Sequence, residues 1–123
     1  GQLNPSSSYT DGLFATIKIN IKNSCTTNGT GTLYLETLNT TSSNLYREGL
    51  LNYQVVKDGT ATNLKGNITK SGEIALDIGT LTKASSASTT YKIYVWVNKD
   101  LLINSDANSV YYGKIRATAT QGK

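Results

Sequence analysis

The sequence contains no histidine and a single cysteine, Cys25, among its 123 residues. Histidine is a common metal ligand and general base, while a lone cysteine can form neither an intrachain disulfide nor a zinc cluster. With no histidine to lower its pKa, Cys25 is predicted to be a small apolar filler near a strand end. These absences remove most metalloenzyme and nucleophile-base chemistry, so we predict that the chain is not an enzyme and binds no metal or cofactor.

The serines and carboxylates do not form a catalytic motif that could work without histidine or cysteine. No Ser-x-x-Lys motif supplies a base to a serine, and no motif places two carboxylates on one face. The stretch 98–108 is rich in Asn and Asp, but it lacks the spacing and the glycine of an EF-hand calcium loop. We therefore interpret it as a solvated loop.

The charge pattern argues against a nucleic-acid partner. Twelve basic residues against eight acidic ones give a net charge of +4, but the basic residues are spread singly from Lys18 to Lys123. Nucleic-acid interfaces usually cluster their positive charge. The sequence also lacks an apolar run of about 18 residues, so no membrane span is expected in the mature chain.

Proline occurs once, and Ser, Thr, Asn and Gly crowd the sequence, a composition typical of strands and turns. Apolar and polar residues alternate in several segments, most clearly from Thr90 to Asn98, where both faces carry apolar bulk and indicate a central strand. Asp58-Gly59 predicts a hairpin turn. The predicted strands are 13–21, 32–37, 52–57, 64–69, 73–79, 90–98 and 110–120, and 39–48 and 83–90 are predicted loops.

About seven short strands at this spacing predict one antiparallel all-β domain over residues 11–123, built as a two-sheet sandwich. Jelly-roll-like and immunoglobulin-like arrangements both remain open, because spacing does not determine the strand order.

Residues 1–10 form a polar, serine-rich arm before the first strand. Its large apolar residues are Leu3 and Tyr9, and Leu13 and Phe14 follow directly. An arm that adds to an exposed sheet edge satisfies backbone hydrogen bonds there, so these four residues are candidates for joining one subunit to the next.

Exposed aromatic residues can stack on sugars or anchor a partner, and the candidates for such a contact face are Tyr94, Trp96, Tyr111 and Tyr112. Burial of these rings by the sandwich or by a neighbouring subunit is the favoured interpretation, because β-propensity alone also accounts for many tyrosines in a strand-rich chain. Asn28, Asn39 and Asn67 each begin an N-glycosylation acceptor pattern, which a chain rich in Asn and Thr also produces by chance.

Three segments carry a family resemblance: 23–35 around Cys25, the strand Tyr91–Asn98, and the closing strand Tyr111–Gln121. They resemble exported surface proteins of low-GC Gram-positive bacteria, including the TasA/camelysin fibre subunits. The resemblance implies a jelly-roll-like domain, secretion with signal-peptide removal, and filaments in which an N-terminal strand inserts into the next subunit. The chain has no histidine for the protease activity once attached to the camelysin name, and no Leu-Pro-x-Thr-Gly sorting signal.

Two functions are therefore expected. The first is a secreted structural subunit that polymerises with copies of itself into an extracellular filament or surface layer through its arm. The alternative is a monomeric cell-surface adhesive module that binds a glycan or a host protein. The start at Gly1 fits both a cleaved signal peptide and a tag-removal scar.

Overall fold

The computed structural model of the chain describes residues 5–6, 13–20, 29–81, 88–103, 106 and 109–121. Short 3₁₀ turns lie at Ser43–Tyr46 and Lys99–Leu101, and the other regular elements of these residues are strands. In chain order the strands are β1 Pro5–Ser6, β2 Leu13–Asn20, β3 Gly29–Thr37, β4 Leu51–Lys57, β5 Thr60–Asn67, β6 Gly72–Leu81, β7 Ser88–Asn98 and β8 Gly113–Gln121.

The strands form two sheets, which confirms the prediction of an all-β sandwich. In the larger sheet the order is β2, β7, β4, β5, with β1 pairing in parallel to the last two residues of β7 on the edge that β2 also uses. The smaller sheet has the order β6, β3, β8. From β2 onward, every connection except the β4–β5 hairpin crosses between sheets, unlike the immunoglobulin arrangement considered above.

Strand β7 supplies the centre of the core, as its alternation predicts. Tyr91, Ile93, Val95 and Val97 all point inward and are at most 4% exposed. They belong to one core with inward residues of the other strands, of the 3₁₀ turn Ser43–Tyr46 and of the position after β5, namely Leu33, Leu35, Leu45, Leu51, Val55, Ile68 and Leu76. Burying such side chains is the main favourable term in folding, at about 25 cal/mol per Å² of apolar surface.

The predicted hairpin at Asp58-Gly59 is present, with positive φ at both residues (47° and 85°). Asp58 also accepts a hydrogen bond on Oδ1 from the backbone N–H of Thr90, 2.9 Å away. The two-residue turn places Thr60 directly opposite Lys57. The return strand therefore begins at Thr60 and not at Leu64 as the sequence suggested.

The interpretation of 98–108 as a solvated loop is wrong for Asp106, which is 9% exposed. The Arg47 guanidinium donates two hydrogen bonds to its carboxylate, at 2.7 and 2.8 Å. Asn44 Nδ2 and the Ile103 backbone N–H complete the set, at 3.0 and 2.9 Å. The same Arg47 donates to the Leu101 carbonyl, so the pair fastens the β7–β8 connection to the β3–β4 connection.

The hydrogen bonds from Arg47 are the largest cause that holds the pKa of Asp106 well below its ordinary value, and the Ile103 backbone N–H adds to the effect. Arg116 likewise lowers the pKa of Glu73 through a bidentate pair, but both of those side chains are exposed to solvent. The two bidentate ion pairs therefore differ in the exposure of the carboxylate, which is buried in Asp106 and exposed in Glu73. Substituting each carboxylate in turn compares the contribution of the two pairs to stability.

We predict that Asp106→Asn lowers the free energy of unfolding by about 2 kcal/mol, because it replaces a buried carboxylate that accepts several partly buried hydrogen bonds with a weaker, neutral acceptor. Glu73→Gln, the control, should leave stability nearly unchanged, because water replaces the lost acceptor. Urea unfolding followed by Trp96 fluorescence measures both. Equal effects of the two substitutions would contradict the structural role of the Asp106 pair.

The low pKa of Asp106 also predicts a pH dependence. A depressed folded-state pKa adds stability that is complete above the unfolded-state value, ordinarily 3.8, and is lost as the pH falls toward the folded value. The stability difference between the parent and Asp106→Asn should therefore be constant near neutral pH and shrink below about pH 4. Urea titrations at several pH values test this, and a difference that grows on acidification would refute it.

Candidate functional site

One side of the sandwich is left open between β2 and β8. Within the described residues, β2 hydrogen-bonds only to β7, and β8 only to β3, so each presents one unpaired edge. The two edges approach one another at the same side of the molecule. Unpaired edges expose backbone N–H and C=O groups that can template a further strand.

An apolar cleft of about 310 Å³ opens between these edges and reaches the core. Leu35 and Val95 form part of its floor and are at most 4% exposed. Ala15 contributes only a methyl group to the lining, whereas the space beside Gly113 is taken up by the Tyr111 ring. The cleft is lined by Phe14, Ala15, Leu35, Leu38, Val95, Tyr111, Tyr112, Gly113, Lys114 and Ile115.

Two aromatic residues at the rim remain exposed to solvent. Phe14 on β2 is 58% exposed, and Tyr112, just before β8, is 43% exposed. The Tyr112 backbone is fixed by Thr41, whose Oγ1 donates to its carbonyl and accepts from its N–H, at 3.0 and 2.9 Å. The rim is thus both apolar and rigidly placed, as binding surfaces usually are.

Tyr111, a candidate for the contact face, is buried instead, as the competing interpretation of the sequence expected. It is 4% exposed, and a 3.1 Å hydrogen bond joins its hydroxyl to Thr37 Oγ1. Burial raises the pKa of Tyr111, and the Thr37 hydrogen bond partly opposes the rise. The reason is register: Tyr111 shares the inward parity of Ile115 and Ala117, which pack against the core.

Tyr94 and Trp96 lie half-buried on the outer face of the larger sheet, where Phe14 joins them. The rings of Phe14 and Tyr94 are 5.4 Å apart between centroids and tilted by 42°, and Lys92 Nζ lies 4.9 Å from the Phe14 centroid. We call Phe14, Tyr94 and Trp96 the aromatic face. Tyr112 lies apart from it, near the start of β8, so the candidate contact residues are divided among three places.

The structure also reassigns part of the predicted joining arm. Leu13 and Phe14 belong to β2 and pair with Val95 and Tyr94 of the same chain. Pro5 and Ser6 pair with Val97 and Asn98. Leu3 and Tyr9, like Cys25 and Asn28, lie outside the described residues.

The other glycosylation candidates are exposed: Asn39 lies in a turn, and Asn67 donates a hydrogen bond to Asn52 Oδ1 at the end of β5. No group of acidic residues among the described ones has the arrangement of a metal site. In the same part of the chain, no helix is long and apolar enough to cross a membrane. The interactions that the open side can make are therefore apolar contacts in the cleft and backbone hydrogen bonds at the strand edges.

Comparison with protein-family models, curated proteins and solved structures found no match.

The packing of the cleft predicts a strong coupling between Gly113 and Tyr111. A Cβ at Gly113 would lie 2.5–2.8 Å from the Tyr111 ring and hydroxyl, although the backbone there is not in the left-handed region. Gly113→Ala should therefore cost about 1–3 kcal/mol of stability by overpacking. In a Tyr111→Leu background the same change should cost much less, and an equal cost in both backgrounds in denaturant titrations would contradict this packing.

Proposed function

We propose that the chain is a secreted structural subunit that assembles with copies of itself into an extracellular filament or surface layer through its N-terminal arm. The observation that carries the proposal is the open side of the sandwich, where two unpaired strand edges flank an apolar cleft. An added strand would satisfy the edges, and apolar side chains would fill the cleft.

The pairing of β1 supports the arm as the joining element. Of the arm, the structure describes Pro5 and Ser6, and both pair with β7, at Val97 and Asn98, just beyond the point where β2 begins opposite Val95. The pairing position lies on the same edge of the larger sheet as the cleft. A neighbour's arm could make the same backbone hydrogen bonds, and exchange of an identical element between copies is a low-cost route to assembly.

The arm also carries the apolar side chains that such a joint needs. Leu3 and Tyr9 are its large apolar residues, and the cleft beside the pairing position is lined mainly by apolar groups. If each arm binds a different neighbour, the chains form an open polymer that can grow at both ends. Reciprocal exchange between two copies gives a closed dimer instead.

A cross-linking experiment tests whether the pairing occurs between copies. Ser6→Cys and Asn98→Cys are made separately in a Cys25→Ser background, mixed under assembly conditions and oxidised. Residues paired in adjacent strands lie within disulfide range, at about 5 Å between Cα atoms. We expect a disulfide-linked pair of chains on non-reducing gels.

Thr60→Cys replaces Asn98→Cys in the matched control, because Thr60 is exposed at the opposite end of the sandwich and should give no comparable cross-link. Deletion of residues 1–9 should leave monomers by size-exclusion chromatography and negative-stain imaging. Filaments that form without the arm, or a mixture of the two single variants that gives no cross-link, would refute the proposal.

A further inference from the structure

The outer faces of the two sheets differ in charge. On the smaller sheet, cations and carboxylates alternate and compensate one another. Arg116 pairs with Glu73 at 2.8 Å, and Glu36 lies directly opposite Lys114 in the β3–β8 register. The Arg116 guanidinium also stacks over the Tyr34 ring, 3.8 Å from its centroid. The exposed Asp77 adds a third carboxylate against these two cations, so this face carries no excess of positive charge.

The outer face of the larger sheet has no such compensation. Strand alternation places Lys18 of β2, Lys92 of β7 and Lys65 of β5 on it, and no outward strand residue among those described there is acidic. The ion pairs formed by the described residues involve none of these lysines. The face therefore carries uncompensated positive charge next to the aromatic face.

The register arranges these groups in rows across the sheet. Phe14, Tyr94, Gln54 and Lys65 are successive partners on β2, β7, β4 and β5, and Trp96, Asn52 and Asn67 form the neighbouring row. Four strands span about 14 Å across the sheet, and neighbouring rows lie about 7 Å apart. The result is a platform with aromatic rings at one edge and a cation at the other. Between them Gln54 is buried and its amide donates to the Val55 and Thr62 carbonyls, so the exposed groups of the platform are the rings, the lysines and Asn67.

We propose that this platform binds an anionic polysaccharide, with sugar rings stacking on Phe14 and Tyr94 and acidic groups pairing with Lys65 and Lys92. Aromatic rings provide the flat apolar surface that a pyranose ring needs. The exposed amide of Asn67 adds a group that can hydrogen-bond to hydroxyls. The charge complements a polyanion, and the proposal applies equally to a monomer and to an assembled subunit.

The spacing of the charge favours a polysaccharide over a nucleic acid. The lysines stand singly in separate rows and no arginine accompanies them, whereas nucleic-acid sites gather cations along a continuous phosphate track. On the outer face of the smaller sheet, Glu73 is engaged by Arg116 and Glu36 lies opposite Lys114. That leaves Asp77, so a second copy of the chain is a weak electrostatic match for the lysines.

Titration of the full-length protein with polygalacturonate at low salt tests the proposal. Trp96 is the single tryptophan and lies on this face, so its emission should shift on binding. Lys65→Glu should weaken binding about fivefold, the effect of one exposed charge contact. Phe14→Ser should weaken it as well, and its exposed position makes misfolding a minor concern, which circular dichroism checks.

Arg116→Glu is the matched control, because it makes the same change in net charge on the outer face of the smaller sheet and should leave the affinity unchanged. Equal loss for Lys65→Glu and Arg116→Glu, or equally tight binding of duplex DNA, would overturn the proposal in favour of non-specific polyanion attraction. A shift of Trp96 emission with protein concentration alone would identify another copy as the occupant. Arm cross-linking uses no polysaccharide, so either proposal can fail without the other.

Discussion

Strand β7 hydrogen-bonds to β1, β2 and β4, so its register determines where much of the larger sheet lies. Its inward side chains form the centre of the core. Of its outward side chains, Tyr94 and Trp96 belong to the aromatic face, and Lys92 lies beside them. A shift of one residue would exchange the two sets. The hydrophobic core thus fixes the register of β7, and that register determines which side chains lie on the outer face of the larger sheet.

The open side follows from how the two sheets share their strands. Most connections cross between sheets, which leaves β2 and β8 as neighbouring edges with different partners. Of the residues around that side, Ala15 contributes only a methyl group, and the space beside Gly113 is taken up by the Tyr111 ring. At the end of the sandwich, by contrast, Arg47 and the buried Asp106 carboxylate fasten two long connections together.

The fold could be predicted because its signals are local: the alternation of Thr90–Asn98 and the Asp58-Gly59 turn each depend on adjacent residues. The burial of Asp106 could not, because its partner Arg47 lies 59 positions away and neither residue stands in a recognisable motif. Tyr111 shows an intermediate case. Its parity with Ile115 indicated the core, but Thr37, which satisfies its hydroxyl, is distant in the sequence.

The two-residue pairing of β1 also determines how an exchange of arms would be controlled. A chain's own arm is tethered to its docking position, and short tethers give effective concentrations of the order of mM. A neighbour's arm therefore competes with the chain's own arm for the same docking position. Assembly by this route would need a high local concentration of chains, and dilute chains would stay separate because each keeps its own arm bound.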